Sequence, residues 1–362
     1  MHEITIDCRM IKASGIGTYL ENTLKNLIPT SKNYRFNLIG NSGDLKSLFD
    51  KNKIIECKIP IYSIREQIQI LKNIPPNSDL FWEPHINIPF MFSGKLLVTV
   101  HDLFHIVMKK FVKGFRKKLY SKMVYPLLRR KAEEFICVSN FTANQLQIYG
   151  KVESKRINII HNGIDQSWFG IKNKSITPPD PYFLYVGNVK PHKNLLTLLN
   201  AFELILKKIP HQLIIVGKKD GFITEDLVVF KKAKQLGDKV IFTGYIDEDS
   251  LKQYYINAEA LIFPSLYEGF GLPPLEAMAS GCPAIISNLP PSHEVCENAA
   301  LYFDPEKPED IAQQMLNLIS NPSLRKDLII RGLHRAKQFT WENSAKETLK
   351  VINRIVSPNH YI

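Results

Sequence analysis

The chain has 362 residues, 44% of them hydrophobic and 23% charged, an ordinary globular composition with room for about two domains. It contains no apolar run near the ~18 residues of a membrane helix, no secretory pattern in MHEITIDCRM, and no C-x-x-C among its five cysteines, so a reducing cytoplasm is expected. Of the net charge of +12, +11 sits in residues 1–170, with 25 Lys and Arg against 14 Asp and Glu, while residues 171–362 hold 22 against 21; one half is therefore expected to face a polyanion, either nucleic acid or an anionic membrane.

Along the chain, short β-branched runs alternate with longer stretches of helical period. The predicted strands of the first half are EITIDC, FNLIG, LLVTVH, EFICVS and INIIH. Those of the second half are YFLYVG, QLIIVG, KVIFTG, EALIFP and PAIIS. This alternation predicts parallel α/β sheets, and near-continuous apolar strands suit sheets covered on both faces. The polar, proline-rich GIKNKSITPPDPY reads as a linker. Two doubly wound domains are expected, residues 1–170 and 171–340, with a terminal helical segment at 341–362.

Near the N-terminus, SGIGTYL places Ser14 or Gly15 at the opening of a helix through 16–28, and Gly15 and Gly17 let a phosphate approach. A dinucleotide fingerprint is incomplete there, because Leu20 occupies the third glycine position and no ribose-binding acid stands clearly downstream. That disfavours a Rossmann oxidoreductase. His101 follows a buried strand in VTVHD, at a strand end where either a satisfied histidine or a functional one fits. Residues 109–131 hold ten basic and no acidic residues. Val112, Phe115, Leu119, Met123 and Leu127 recur there at helical spacing, which predicts a basic amphipathic helix, or a pair broken near Pro126, facing an anionic membrane. Asp247-Glu248-Asp249 resembles a D-x-D metal motif, but Asp247 or Asp249 is better read as a helix N-cap, so no metal is expected.

Several strands of the second half end in a loop leading to a helix, at 186–187, 216–217, 243–244 and 263–264. In open α/β sheets ligands bind outside the carboxyl ends of the strands, so these loops share one ligand edge. The last of them opens SLYEGFGLPPLEAMASG, residues 265–281. Gly269 and Gly271 permit unusual backbone angles, and Pro273 or Pro274 suits a helix start whose N–H groups attract an anion. Glu268 and Glu276 would hold hydroxyls beside that anion. A sugar-like ring next to phosphates meets both demands.

The string S-x-x-E-G-F-G-L-P-x-L-E-A-M-A-x-G resembles the E-x7-E signature of family 4 of the retaining glycosyltransferases. SGIGTYLENTL, VHDLFHI, VSNFTANQL, IIHNGID, YVGNVKPHKNLLTLLNAF and FTGYIDEDSLKQYY extend the resemblance over most of the chain. It is strongest to the branch that transfers mannose in bacterial surface-polysaccharide assembly. The resemblance implies the GT-B fold, two Rossmann-like domains facing across a cleft: an acceptor-binding domain first, a nucleotide-sugar domain second, and a last helix that crosses back. It also implies a sugar-nucleotide donor with no further cofactor, GDP-mannose before a UDP-hexose, and a lipid-linked or lipopolysaccharide glycan as acceptor.

Carried over residue by residue, Glu276 would hold the ribose and Glu268 the transferred sugar, with the amides of Phe270, Gly271 and Leu272. Lys193 would meet the diphosphate, and His101 would lie by the anomeric carbon. Gly187, Asn188 and the N-terminal Gly15 and Gly17 would line the diphosphate, and the loop at Tyr245 the base, with Lys218. Asn188 and His192 stand where the family commonly carries an arginine. Losing one charge-assisted bond of ~1.5–3 kcal/mol weakens a donor about 10- to 150-fold. A non-catalytic sugar-nucleotide-binding subunit is the alternative this departure keeps open.

Overall fold

The computed structural model describes all residues except 62, 64, 112–123, 174–179, 218–226 and 358–362. The chain forms two compact units, Met1–Gly163 with Thr340–Ile362, and Ile164–Phe339. The expected break after residue 170 lies inside the second unit. Trp168 is 5% exposed and meets Tyr255 of that unit edge-on, with ring centroids 5.5 Å apart.

The first unit carries seven parallel strands, β1 (His2–Asp7), β2 (Tyr34–Gly40), β3 (Lys53–Glu56), β4 (Leu80–Glu83), β5 (Leu96–Val100), β6 (Glu134–Cys137) and β7 (Ile157–Ile159). Their spatial order is β3-β2-β1-β4-β5-β6-β7. The second unit has β8 (Tyr182–Val186), β9 (Gln212–Val216), β10 (Val240–Gly244), β11 (Ala260–Phe263), β12 (Ala284–Ser287) and β13 (Ala300–Phe303). They are also parallel, in the order β10-β9-β8-β11-β12-β13. Both sheets are doubly wound. The order reverses between β1 and β4 in one and between β8 and β11 in the other, and a ligand crevice opens at such points.

All ten predicted strands are present. Three more, β3, β4 and β13, escaped the pattern. The strand KIIE has charges at both ends, and LFWE ends on a buried glutamate. In each sheet the apolar strands feed a core covered by helices. Phe183, Phe202, Ile262 and Met315 belong to the core of the second unit, and Phe81, Val98, Leu128 and Phe135 to that of the first.

The helix Ser14–Thr30 packs against the helix Trp341–Val356 within the first unit. Gly163 must be glycine there, because a Cβ would lie 2.3 Å from the Trp341 nitrogen. Of the basic segment 109–131, residues 112–123 lie outside the described residues. Lys109–Phe111 form a short 3-10 turn, and 124–131 is helical, burying Val124, Tyr125 and Leu128 while Arg129 and Arg130 stay exposed. No helix among the described residues is long and apolar enough to cross a membrane.

Candidate active site

In the second unit, two loops meet at the switch point. One follows β8 and runs Gly187 to Lys193; the other follows β11 and runs Pro264 to Gly271. The Leu266 amide donates to the His192 carbonyl at 2.8 Å. Lys193 Nζ lies 2.5 Å from Glu268 Oε1, with both side chains mostly buried. The ammonium also sits 5.8 Å from the centre of the Phe263 ring at the end of β11. Among the described residues, this cluster of contacts thus pairs one cation with one anion at the carboxyl edge of the sheet.

The chain reaches this arrangement through local backbone demands. At the end of β8, Gly187 has φ +155°, and its carbonyl faces Gly217 after β9. A Cβ on Gly217 would lie 2.1 Å from that oxygen, so the strand-end glycine at 217 serves the close approach of two backbones. Tyr185 Oη donates to the Asn188 carbonyl at 3.1 Å. Asn194 caps the helix Leu195–Ile205 in the left-handed region at φ 58°, and its amide reaches the Pro305 carbonyl at 2.6 Å. Lys193 is thereby fixed at the last turn before a helix.

On the other side, Gly271 at φ +100° starts the helix Leu272–Ala279, with prolines in its first turn and no side-chain cap. The helix start is therefore open to an external acceptor, the situation that favours an anion. The Phe270 ring packs edge-on against Phe339, with ring centroids 5.8 Å apart. Behind this turn Glu276 accepts from the Tyr255 hydroxyl at 2.8 Å. Burial pushes the Glu276 carboxyl up to about 7, although the tyrosine bond and Lys252 pull it down. Leu275, Ala277, Met278 and Ala279 are buried, as expected of a small-residue helix that packs closely.

Gly187, Asn188, Lys193, Glu268, Phe270, Gly271, Leu272 and Glu276 thus gather on adjoining elements of one sheet edge. Tyr245 follows Gly244, which has φ +76°, and is 76% exposed beyond the end of β10. Lys218 lies outside the described residues. Asp247 is the N-cap of the helix Glu248–Asn257, accepting from the Ser250 amide at 2.8 Å. Sequence reasoning missed Tyr255. Its only signal was an aromatic residue buried on a helix whose other face is charged.

His101, Gly15 and Gly17 belong to the first unit. His101 Nε2 lies 2.9 Å from the Pro84 carbonyl, and its ring meets Tyr19 edge-on at 4.8 Å. A carbonyl can only accept, so Nε2 carries the proton and the neutral ring keeps Nδ1 unprotonated. Burial pushes the His101 pKa down to about 4, against the opposing pull of the Pro84 carbonyl and Asp102. The nearby helix opens at Ser14, as expected, with Ala13 as its N-cap. Gly15 is exposed. Gly17 is buried, and a Cβ there would lie 2.5 Å from the Ile11 carbonyl, so its smallness serves packing against residues 10–11.

Spacing along the chain also hides a grouping of Asp7, Glu83 and His85, whose polar atoms lie within 4.8 Å of one another. Arg9 engages both oxygens of Asp7, so the cation already in place beside this group is a guanidinium.

The chain was compared with known proteins. The family model "Glycosyl transferases group 1" matches residues 168–335, and "Glycosyltransferase Family 4" matches 58–168. "O-antigen chain mannosyltransferase RfbU" of Salmonella typhimurium is 29% identical over 267 residues, 74% of this chain and 71% of that protein. "O-antigen chain mannosyltransferase B" of Escherichia coli is 35% identical over 173 residues, but the match spans only 44% of its length. Among solved structures, a sucrose-phosphate synthase from Thermosynechococcus elongatus superposes with a TM-score of 0.81 at 20% identity, covering 99% of this chain and 100% of the other. The two family models together span residues 58–335, and the chain belongs to the group 1, family 4 glycosyltransferases, with the GT-B fold.

Proposed function

We propose that this glycosyltransferase moves a mannosyl residue from GDP-mannose to a lipid-linked or lipopolysaccharide O-antigen glycan. The observation that carries this reading is the Lys193–Glu268 pair, 2.5 Å apart at the switch point. Gly187 lies on one side of the pair and the open helix start at Leu272 on the other. A nucleoside diphosphate sugar fits that pattern. Its diphosphate competes with Glu268 for Lys193 and lies toward the helix start. Its sugar hydroxyls take the freed Glu268 carboxylate and the amides of Phe270, Gly271 and Leu272. Its ribose hydroxyls reach Glu276, which Tyr255 holds in place. The loop at Tyr245 meets the base. Mannose is favoured because two relatives are named as O-antigen chain mannosyltransferases.

In the reaction, the bond from the anomeric carbon to the leaving phosphate oxygen breaks and a bond to the acceptor hydroxyl oxygen forms, with retained configuration. The acceptor proton passes to the departing diphosphate. The protein contributes positioning and charge stabilisation. His101 serves the anomeric centre as a neutral group presenting Nδ1 as an acceptor, and the exposed Gly15, in the first turn of the helix Ser14–Thr30, meets the diphosphate and acceptor, while Gly17 packs beneath it.

The same reading locates the enzyme in the cytoplasm, on the inner face of the membrane, held by the basic segment 109–131. Each Lys or Arg near an anionic surface contributes about 1 kcal/mol, so a few suffice for peripheral binding. Calorimetric titration with GDP, UDP, GDP-mannose and UDP-glucose tests the donor. Binding of GDP and GDP-mannose is expected, and a preference for UDP would overturn the assignment. Flotation with anionic vesicles that weakens in salt is expected of the membrane contact; equal binding to neutral vesicles contradicts it.

A further inference from the structure

A chain of buried polar side chains underlies His101 at the carboxyl edge of the first sheet. Asp7 ends β1 and Glu83 ends β4, on the two strands that flank the switch point, and both are at most 1% exposed. Arg9 stands beside them: its Nε is 2.9 Å from each Asp7 oxygen, and its Nη2 is 2.6 Å from Glu66 Oε1. The same Glu66 oxygen accepts from Asn87 Nδ2 at 2.7 Å. The Asn87 amide in turn donates to His85 Nδ1 at 3.0 Å, and His85 Nε2 lies 3.1 Å from Glu83 Oε1. The loop 84–87 is therefore tied at its far end to an internal ion pair. Pro84, at its near end, supplies the carbonyl that His101 donates to.

Burying two carboxylates around one guanidinium brings little net stability, since the desolvation cost is comparable with the attraction gained. Apolar side chains would hold the loop as firmly. What the polar chain adds is direction, because each hydrogen bond holds its donor and acceptor to a narrow geometry. We infer that the Arg9–Glu66–Asn87 chain is a positioning device: it sets the loop 84–87 so that the Pro84 carbonyl imposes the Nε2-protonated tautomer on His101. This rests on the reading that His101 serves the transfer site. Arg9, Glu66 and Asn87 act only through the loop and are positioning residues.

The test is nitrogen-resolved NMR of the histidine rings, with His101 assigned by the loss of its signals in His101→Asn. The wild-type protein is expected to show a single Nε2-protonated tautomer at His101. Asn87→Ala removes one hydrogen bond, and Glu66→Gln removes the charge while keeping the shape. Both are expected to give mixed tautomers and a kcat at least about tenfold lower, since small misplacements cost that much, with donor KM unchanged. If Glu66→Gln does not fold, Asn87→Ala decides alone. A single unchanged tautomer in folded Asn87→Ala would overturn the inference, whatever happens to kcat. The tautomer is read without substrate, and nucleotide titration reads the donor site in the other unit, so failure of this inference is distinguishable from failure of the donor assignment.

Discussion

The hydroxyl of Tyr255 lies 2.8 Å from Oε2 of Glu276, joining the helix after β10 to the helix after β11. Tyr255 is fully buried, and burial together with the Glu276 charge pushes its own pKa well up, so it stays a donor at every working pH. Tyr255→Phe is expected to weaken GDP binding about 3- to 10-fold, in keeping with the ~1 kcal/mol of one hydrogen bond. The melting temperature should drop only slightly. Calorimetry with GDP checks this, and unchanged affinity would mean that Glu276 is held by other contacts.

Lys193 and Glu268 should respond in opposite directions. Lys193→Ala removes the paired cation and is expected to weaken nucleoside diphosphate binding about 10- to 150-fold. Glu268→Gln releases the lysine from its partner, so GDP should bind at least as tightly while sugar transfer falls by about 100-fold or more, as expected for a lost sugar-orienting contact. A parallel fall in GDP affinity in both variants would contradict the competition between carboxylate and diphosphate.

Two sets of groups give opposite pH slopes. A carboxyl raised from 4.5 to about 7 makes the folded state the tighter proton binder. Through Glu276, stability therefore falls as pH rises through that window, by on the order of 1–3 kcal/mol. His85 and His101 are each lowered from 6.5 to about 4, which makes the unfolded state the tighter binder, so their share of stability is complete above 6.5 and lost as pH falls toward 4. Glu276→Gln is expected to remove this residue's share of the downward slope, so that between pH 4.5 and 7 stability rises more, or falls less, than in the wild type, while buried Glu83, also pushed up by burial, keeps its own share. Urea unfolding at a series of pH values reads the difference.

Gly217→Ala is a structural probe of the same edge. The added methyl carbon would stand 2.1 Å from the Gly187 carbonyl, so one of the two loops must move. A loss of about 1–3 kcal/mol in stability is expected, of the size seen for overpacking. Nucleotide binding should weaken as well. Unchanged unfolding and binding would show that the loops yield freely.

Much of this was legible beforehand. The alternation of apolar runs and helical stretches predicted both doubly wound sheets, because long buried strands leave a strong pattern. The glycine turn, the prolines and Glu276 marked a helix start with a carboxylate behind it, since such backbone demands are local. Pairing was not legible. Lys193 and Glu268 are 75 positions apart, and only the adjacency of β8 and β11 brings them together. Tyr255 and the Asp7–Arg9–Glu66–Asn87 chain stayed hidden for the same reason.

The close contact between Gly187 and Gly217 makes the ends of β8 and β9 a single mechanical part, the backbone of one being the wall of the other. Neither can be lengthened, reshaped or given a side chain at that point without recutting its neighbour. A lineage or an engineer seeking a new donor from this framework is thus steered away from this stretch of backbone. The accessible variation lies in outlying side chains such as Tyr245, 76% exposed, where the base would be read and where a change disturbs no wall.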